Sequence, residues 1–125
     1  MLDHQAEQEV RAAAVAYCEG LHHSDASIFE TLCHERYFMV GAQGAGETLF
    51  FDKTRFIDRI RARDPFPGVP SYQIVSVDVE ENTASVKLWV DMPPRRFVDY
   101  LGFARLDGDW RLMTKLFRVG QGPAL

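Results

Sequence analysis

Apolar residues in the first quarter of the chain recur at helical spacing. Val10, Ala13, Ala14, Tyr17 and Leu21 fall on one stripe, which predicts an amphipathic helix fraying near Gly20 and the pair His22-His23. Asp25 or Ser27 is placed to cap a short second helix, with Ser27 and Glu30 at capping-box spacing. Ile28, Phe29, Leu32 and Cys33 supply its buried face. A strand is expected over 36–41, then a turn through the glycine-rich stretch 41–46, then a short returning strand at Thr48-Leu49-Phe50-Phe51. The glycines lack the Lys-Ser/Thr ending and following helix of a phosphate loop. Asp52 is placed to cap a third helix with Phe56, Ile57 and Ile60 inward, and Pro65, Pro67 and Pro70 stop it.

The second half changes to period two. Val75, Val77 and Val79 alternate with Ser76 and Asp78, and Ala84, Val86, Leu88 and Val90 alternate with Ser85 and Lys87. Glu81-Asn82, Pro93-Pro94 and Asp107-Gly108 read as turns, the last a tight hairpin. Long strands are expected over 97–106 and 110–119, with a loose tail over 120–125. The order is helix, helix, strand pair, helix, then four antiparallel strands. The economical packing is α+β, with three helices on a strongly curved, mainly antiparallel sheet. Neither repeat nor linker divides the chain, so a single domain over 1–125 is expected, with its core at about 9–119.

With 125 residues, 46% of them hydrophobic, the chain can bury a core without disulfides or metals. Its net charge of −4 argues against a nucleic-acid partner. Lys53, Arg55, Arg59, Arg61 and Arg63 crowd one segment, but Asp58 and Asp64 interrupt them, and the cluster reads as a solvated helix face. Cys18 and Cys33 lack CxxC or metal-ligand spacing and read as buried free thiols. The first ten residues carry Asp3, Glu7 and Glu9 and no apolar run, so no signal peptide is expected. No stretch reaches the length of a membrane span, and the expected setting is cytoplasmic.

The element order resembles the cone-shaped nuclear transport factor 2-like superfamily, with its SnoaL-like and cystatin-like relatives. Within it the chain is similar to the family described as putative lumazine-binding. The likeness rests on a helix like 15–21, a turn like 22–25 and the segment Leu32-Cys33-His34. Its strongest part is the closing hairpin: Phe97, Asp99-Tyr100-Leu101, Asp107-Gly108, Trp110, Leu112, Lys115 and Phe117. It runs from about Glu9 to Val119 and implies a pocket between sheet and helices. It implies no single activity, because related branches include ketosteroid isomerases, polyketide cyclases, dehydratases and non-catalytic binding modules.

Five residues are candidates for that pocket: Tyr17, His34, Trp89, Asp99 and Lys115. Tyr17 resembles the helix-1 tyrosine that supports the oxyanion in ketosteroid isomerases, but the favoured reading is a core tyrosine with a satisfied hydroxyl. The base of that enzyme type falls near Val40 and its second acid near Gly102, and neither residue does that work. Asp99, Tyr100 and Lys115 share the hairpin. Alternation puts Asp99 and Tyr100 on opposite faces, and the register leaves open which one joins Lys115. His34 is a candidate because histidine is the residue type suited to acid–base work near neutral pH, and it equally fits capping or packing at its turn. His4, His22 and His23 are expected to be exposed. No metal site, cofactor or hydrolase triad is expected.

The function that fits is binding of a small, partly aromatic or apolar molecule. The alternative is an isomerase, cyclase or dehydratase acting on a polyketide- or steroid-like substrate. A homodimer through the sheet is also expected. Leu101 and Phe103 oppose Val98 and Ala104 on one strand, and Leu112 and Leu116 oppose Met113 and Phe117 on the next, so both faces carry apolar residues.

Overall fold

A computed structural model describes residues 4–42 and 48–125. The centre of the expected glycine-rich turn, 43–47, lies outside the described residues. The elements are α1 (His4–His23), α2 (Ala26–Leu32), β1 (Cys33–Ala42), β2 (Thr48–Asp52), α3 (Lys53–Arg61), β3 (Tyr72–Glu80), β4 (Thr83–Met92), β5 (Arg95–Leu106) and β6 (Asp109–Gln121). The strands form one six-stranded curled sheet in the order β2-β1-β6-β5-β4-β3.

The expected stripe of α1 is buried at Val10, Ala14, Tyr17 and Leu21. Asp25, not Ser27, caps α2, its carboxylate accepting from the Ser27 amide at 3.1 Å. Glu30 is thereby released from the expected capping box and pairs with Arg61 at 2.9 Å. Asp52 caps α3 by accepting from the Arg55 amide, and Phe56, Ile57 and Ile60 are its buried face. The helices lie on one face of the sheet. α1 crosses β3, β4 and β6, α3 crosses β1 and β2, and α2 bridges the two helices. Trp110 Nε1 donates to Glu9 Oε1 at 3.1 Å, tying α1 to β6.

β1 begins at Cys33, three residues before the expected start, because it pairs in parallel with β6 from Cys33 opposite Leu112 onward. The sheet is therefore mixed, with β6 at its middle. The β5–β6 hairpin turns through Asp107 at φ 52° and Gly108 at φ 87°, the positive pair that a tight right-twisting hairpin needs. Gly102 pairs with Thr114 but Phe103 pairs with Leu112, leaving Met113 as a bulge. The bulge resets the alternation, so Leu112 and Phe117 are both buried on the inner face while Leu116 is exposed. The expected grouping of Leu112 with Leu116 is thereby corrected.

Two further expectations change. His22 is buried, its Nε2 in a hydrogen bond with the Gly68 carbonyl at 3.0 Å, because the proline-rich connection folds back over the end of α1. The tail is held rather than loose, with the Arg95 guanidinium donating to the Pro123 and Ala124 carbonyls at 2.9 and 3.0 Å.

Candidate functional site

Three elements bring one polar cluster into the core. α1 supplies Tyr17 and β5 supplies Asp99, on the face it shares with Leu101 and Phe103. β6 supplies Lys115, opposite Leu101, and Phe117, opposite Asp99. The face left open by the register is thus that of Asp99, while Tyr100 points outward. The Tyr17 hydroxyl donates to Asp99 Oδ2 at 2.5 Å. Lys115 Nζ stands 3.9 Å from the same oxygen and 5.0–5.2 Å from the ring centres of Tyr17, Phe56 and Phe117. Asp99 is 1% exposed, and its Oδ1 has no hydrogen-bond partner among the described residues.

Burial dominates the electrostatics. It pushes the Asp99 carboxyl above the usual carboxylate range, against the pull of Lys115 and the Tyr17 hydroxyl. It pushes the Lys115 ammonium below its ordinary value, with Asp99 opposing and Arg63 adding to the shift. Burial and then Asp99 raise the Tyr17 phenol. Both members of the ion pair thus lean toward their neutral forms, as expected where desolvation outweighs a long contact.

Asp99 and Lys115 form the buried end of a small open cavity of about 70 Å³. Phe51, Phe56, Phe97 and Phe117 are among its walls. Gly41 makes the Phe117 wall: a Cβ there would stand 2.4 Å from the Phe117 ring, so only glycine lets the ring lie over β1. Leu125 reaches the rim. So do Arg59 and Arg63, which corrects the reading of the basic segment as solvated throughout. The spacing of Phe56, Ile60 and Arg63 was the available signal, because it continues the buried stripe of α3 by one more turn.

The other sequence candidates lie elsewhere. His34 is half-buried at the start of β1, where its Nδ1 accepts from the Arg36 amide at 3.0 Å. Trp89 sits on the outer face of the sheet beneath the Arg96 guanidinium, 3.6 Å from its ring centre, and donates to Gln73 at 3.2 Å. The acid that reaches Tyr17 is Asp99 rather than a group near Gly102. Val40 is half-buried, flanked by the buried Met39 and by Gly41 beneath the Phe117 ring, and none of the three accepts a proton. Among the described residues no three His, Cys, Asp or Glu side chains gather where they would hold a metal. Both cysteines are free and buried, and burial pushes Cys33 up to about 12 and Cys18 higher still.

Residues 5–118 match the family described as Putative lumazine-binding. The chain belongs to that family. Among solved structures, a nuclear transport factor 2-like protein of unknown function from Silicibacter pomeroyi is 24% identical over 95% of this chain and 99% of its own, with a TM-score of 0.86. One from Shewanella baltica is 18% identical over 98% and 99%, with a TM-score of 0.87. A ketosteroid isomerase-like protein from Erwinia carotovora atroseptica is 12% identical over 96% and 100%, with a TM-score of 0.76. No curated protein matches the chain. At these identities the structural likeness carries the nuclear transport factor 2-like fold. No helix among the described residues is long and apolar enough to cross a membrane.

Proposed function

We propose that this member of the putative lumazine-binding family binds a small, partly aromatic or apolar molecule in the cavity that ends at Asp99 and Lys115. The observation that carries the reading is an aromatic-walled cavity with one buried polar end, where Asp99 Oδ1 has no hydrogen-bond partner among the described residues. Buried acceptors are normally satisfied, and apolar pockets with few placed polar groups suit small ligands. Tyr17 holds Asp99 in place, and Lys115 opposes the rise that burial imposes on its carboxyl. Thermal-shift screening against pterins, flavins, steroids and polyketide-like acids tests this. A ligand at one hundred times its Kd stabilises by about 2.7 kcal/mol, a rise of several degrees. Asp99→Asn should weaken the response, and no rise with any class would overturn the reading.

The isomerase alternative has one observation in its favour. Tyr17 and a carboxyl whose proton affinity burial has raised meet inside the fold, and a tyrosine with a neutral acid is the donor pair of ketosteroid isomerases. The missing partner is a base: the Val40 position offers none, and positioned general-base catalysis contributes about 10² to 10⁴ in rate. The expected result with a β,γ-unsaturated ketosteroid is no robust turnover. Turnover abolished by Tyr17→Phe and Asp99→Asn would restore the alternative.

We further propose a cytoplasmic homodimer through the outer face of the sheet. Phe38, Tyr100 and Leu116 are each about half exposed there, beside Val40. A second copy covering this face would remove them from water in an isologous interface. Two free thiols suit a reducing compartment. A monomeric mass by light scattering at micromolar concentration would exclude the dimer.

A further inference from the structure

We propose that the ligand of this cavity is an organic anion, an aromatic carboxylate whose acid group sits between Arg59 and Arg63 at the mouth. The inference rests on the ligand-binding reading and narrows it. Four arginines project from α3 and its C-terminal turn, and they divide into two kinds. Arg55 donates to the Phe50 carbonyl at 3.1 Å, and Arg61 pairs with Glu30 at 2.9 Å. Arg59 and Arg63, one helical turn apart, both line the cavity, and neither has a carboxylate partner among the described residues. The Arg59 guanidinium lies over the Phe51 ring at 4.9 Å from its centre, a ring that Arg55 also covers at 4.8 Å, and the Arg63 guanidinium lies 5.6 Å from the centre of Phe66. Such cation–ring contacts use none of the guanidinium N–H groups as hydrogen-bond donors to oxygen. Arg63 Nε is buried and has no hydrogen-bond partner among the described residues.

Charge points the same way. Among the described side chains that line the cavity, three are basic, Arg59, Arg63 and Lys115, and one is acidic, Asp99, in a chain whose net charge is −4. Concentrating like charge in a partly desolvated space is unfavourable until an anion enters. The strain is felt at both ends, since Arg59 adds to the burial that lowers Arg63, and Arg63 adds to the burial that lowers Lys115. A carboxylate matches the guanidinium fork with two parallel hydrogen bonds. Between mouth and floor, Phe51, Phe56 and Phe117 suit a flat ring. The free Asp99 Oδ1 accepts a hydroxyl or N–H from the far end of that ring.

The test uses 4-hydroxybenzoate, 4-hydroxycinnamate and 6-hydroxy-2-naphthoate beside their methyl esters, with inorganic phosphate as a bare anion, by isothermal titration calorimetry on the intact protein. At least one acid should bind ten-fold or more tighter than its ester. That preference should shrink as salt rises and disappear in Arg59→Gln/Arg63→Gln. Arg61→Gln should leave it unchanged. If the double variant does not fold, the exposed Arg59→Gln alone should reduce the preference several-fold. Equal binding of acids and esters, a preference surviving in the variants, or phosphate binding as tightly as the acids would overturn the anion assignment while the pocket stands. Binding by neither series would overturn both.

Discussion

Replacing Lys115 by methionine removes the cation beside Asp99 and keeps an unbranched side chain in the aromatic slot. At the observed 3.9 Å, with an effective dielectric of about 20, the lost attraction is about 4 kcal/mol. Relief of the lysine's own desolvation offsets part of it, and the carboxylate limits the rest by taking up a proton. The loss at pH 8 is therefore expected to be about 2–4 kcal/mol. Its pH dependence has a definite sign. Burial already raises Asp99 and Lys115 opposes that rise, so the variant's carboxyl moves further up. A carboxyl raised in the folded state contributes stability that is complete below its unfolded value of about 3.9 and is lost as pH climbs through the folded value. The gap to the parent protein should thus be widest at pH 8 and close by up to about 1.4 kcal/mol per pH unit across the window between the two folded values. Urea unfolding followed by tryptophan fluorescence from pH 5 to 8 measures it. The double variant Asp99→Asn/Lys115→Met should regain most of the loss, because no uncompensated charge remains. A gap of equal size at pH 5 and pH 8, or a double variant as weak as the single, would refute this reasoning.

Gly41→Ala should lower stability by about 1–3 kcal/mol, since the new Cβ meets the Phe117 ring at 2.4 Å in a packed wall; an unchanged melting temperature would show that the ring yields freely. Cys18 and Cys33, both buried with thiols pushed well up, should react with Ellman's reagent at pH 8 only as fast as the protein unfolds. A rapid thiol in native protein would contradict their placement. Arg95→Ala removes the two donors that hold the tail; amide order parameters at Ala124 and Leu125 should fall while global stability drops by about 1 kcal/mol or less.

Local signals were the ones legible from composition and spacing. The α1 stripe, the Asp52 cap and the Asp107-Gly108 turn each depend on neighbours within a few residues, and each is observed. The parallel pairing of β1 with β6 depends on residues more than seventy positions apart, and no local period encodes it. The Met113 bulge is a one-residue event that reverses every later face of β6, which is why Leu112 and Phe117 were assigned to opposite sides. Tyr17, Asp99 and Lys115 could be singled out individually, but only the fold brings them together. Arg59 and Arg63 were hidden in a mixed-charge run, where alternation with acids imitates an ordinary wet helix. Their separation from Arg55 and Arg61 appears only once Glu30 and Phe50 are in place to occupy the other two.

The position of β6 has a consequence for how the protein is made. This last strand separates the β1–β2 hairpin from the β5–β4–β3 meander, so until it is threaded between them the sheet exists as two halves. Each half has a bare edge, β1 on one and β5 on the other, offering unpaired backbone groups to any passing strand. On a ribosome both edges exist before the segment that will cover them has emerged. Loop closure over so long a separation is slow, which prolongs the interval. A growing chain would therefore be most prone to aggregate just before its C-terminal strand is released. Shortening that strand should cause insolubility rather than a folded protein with a frayed edge.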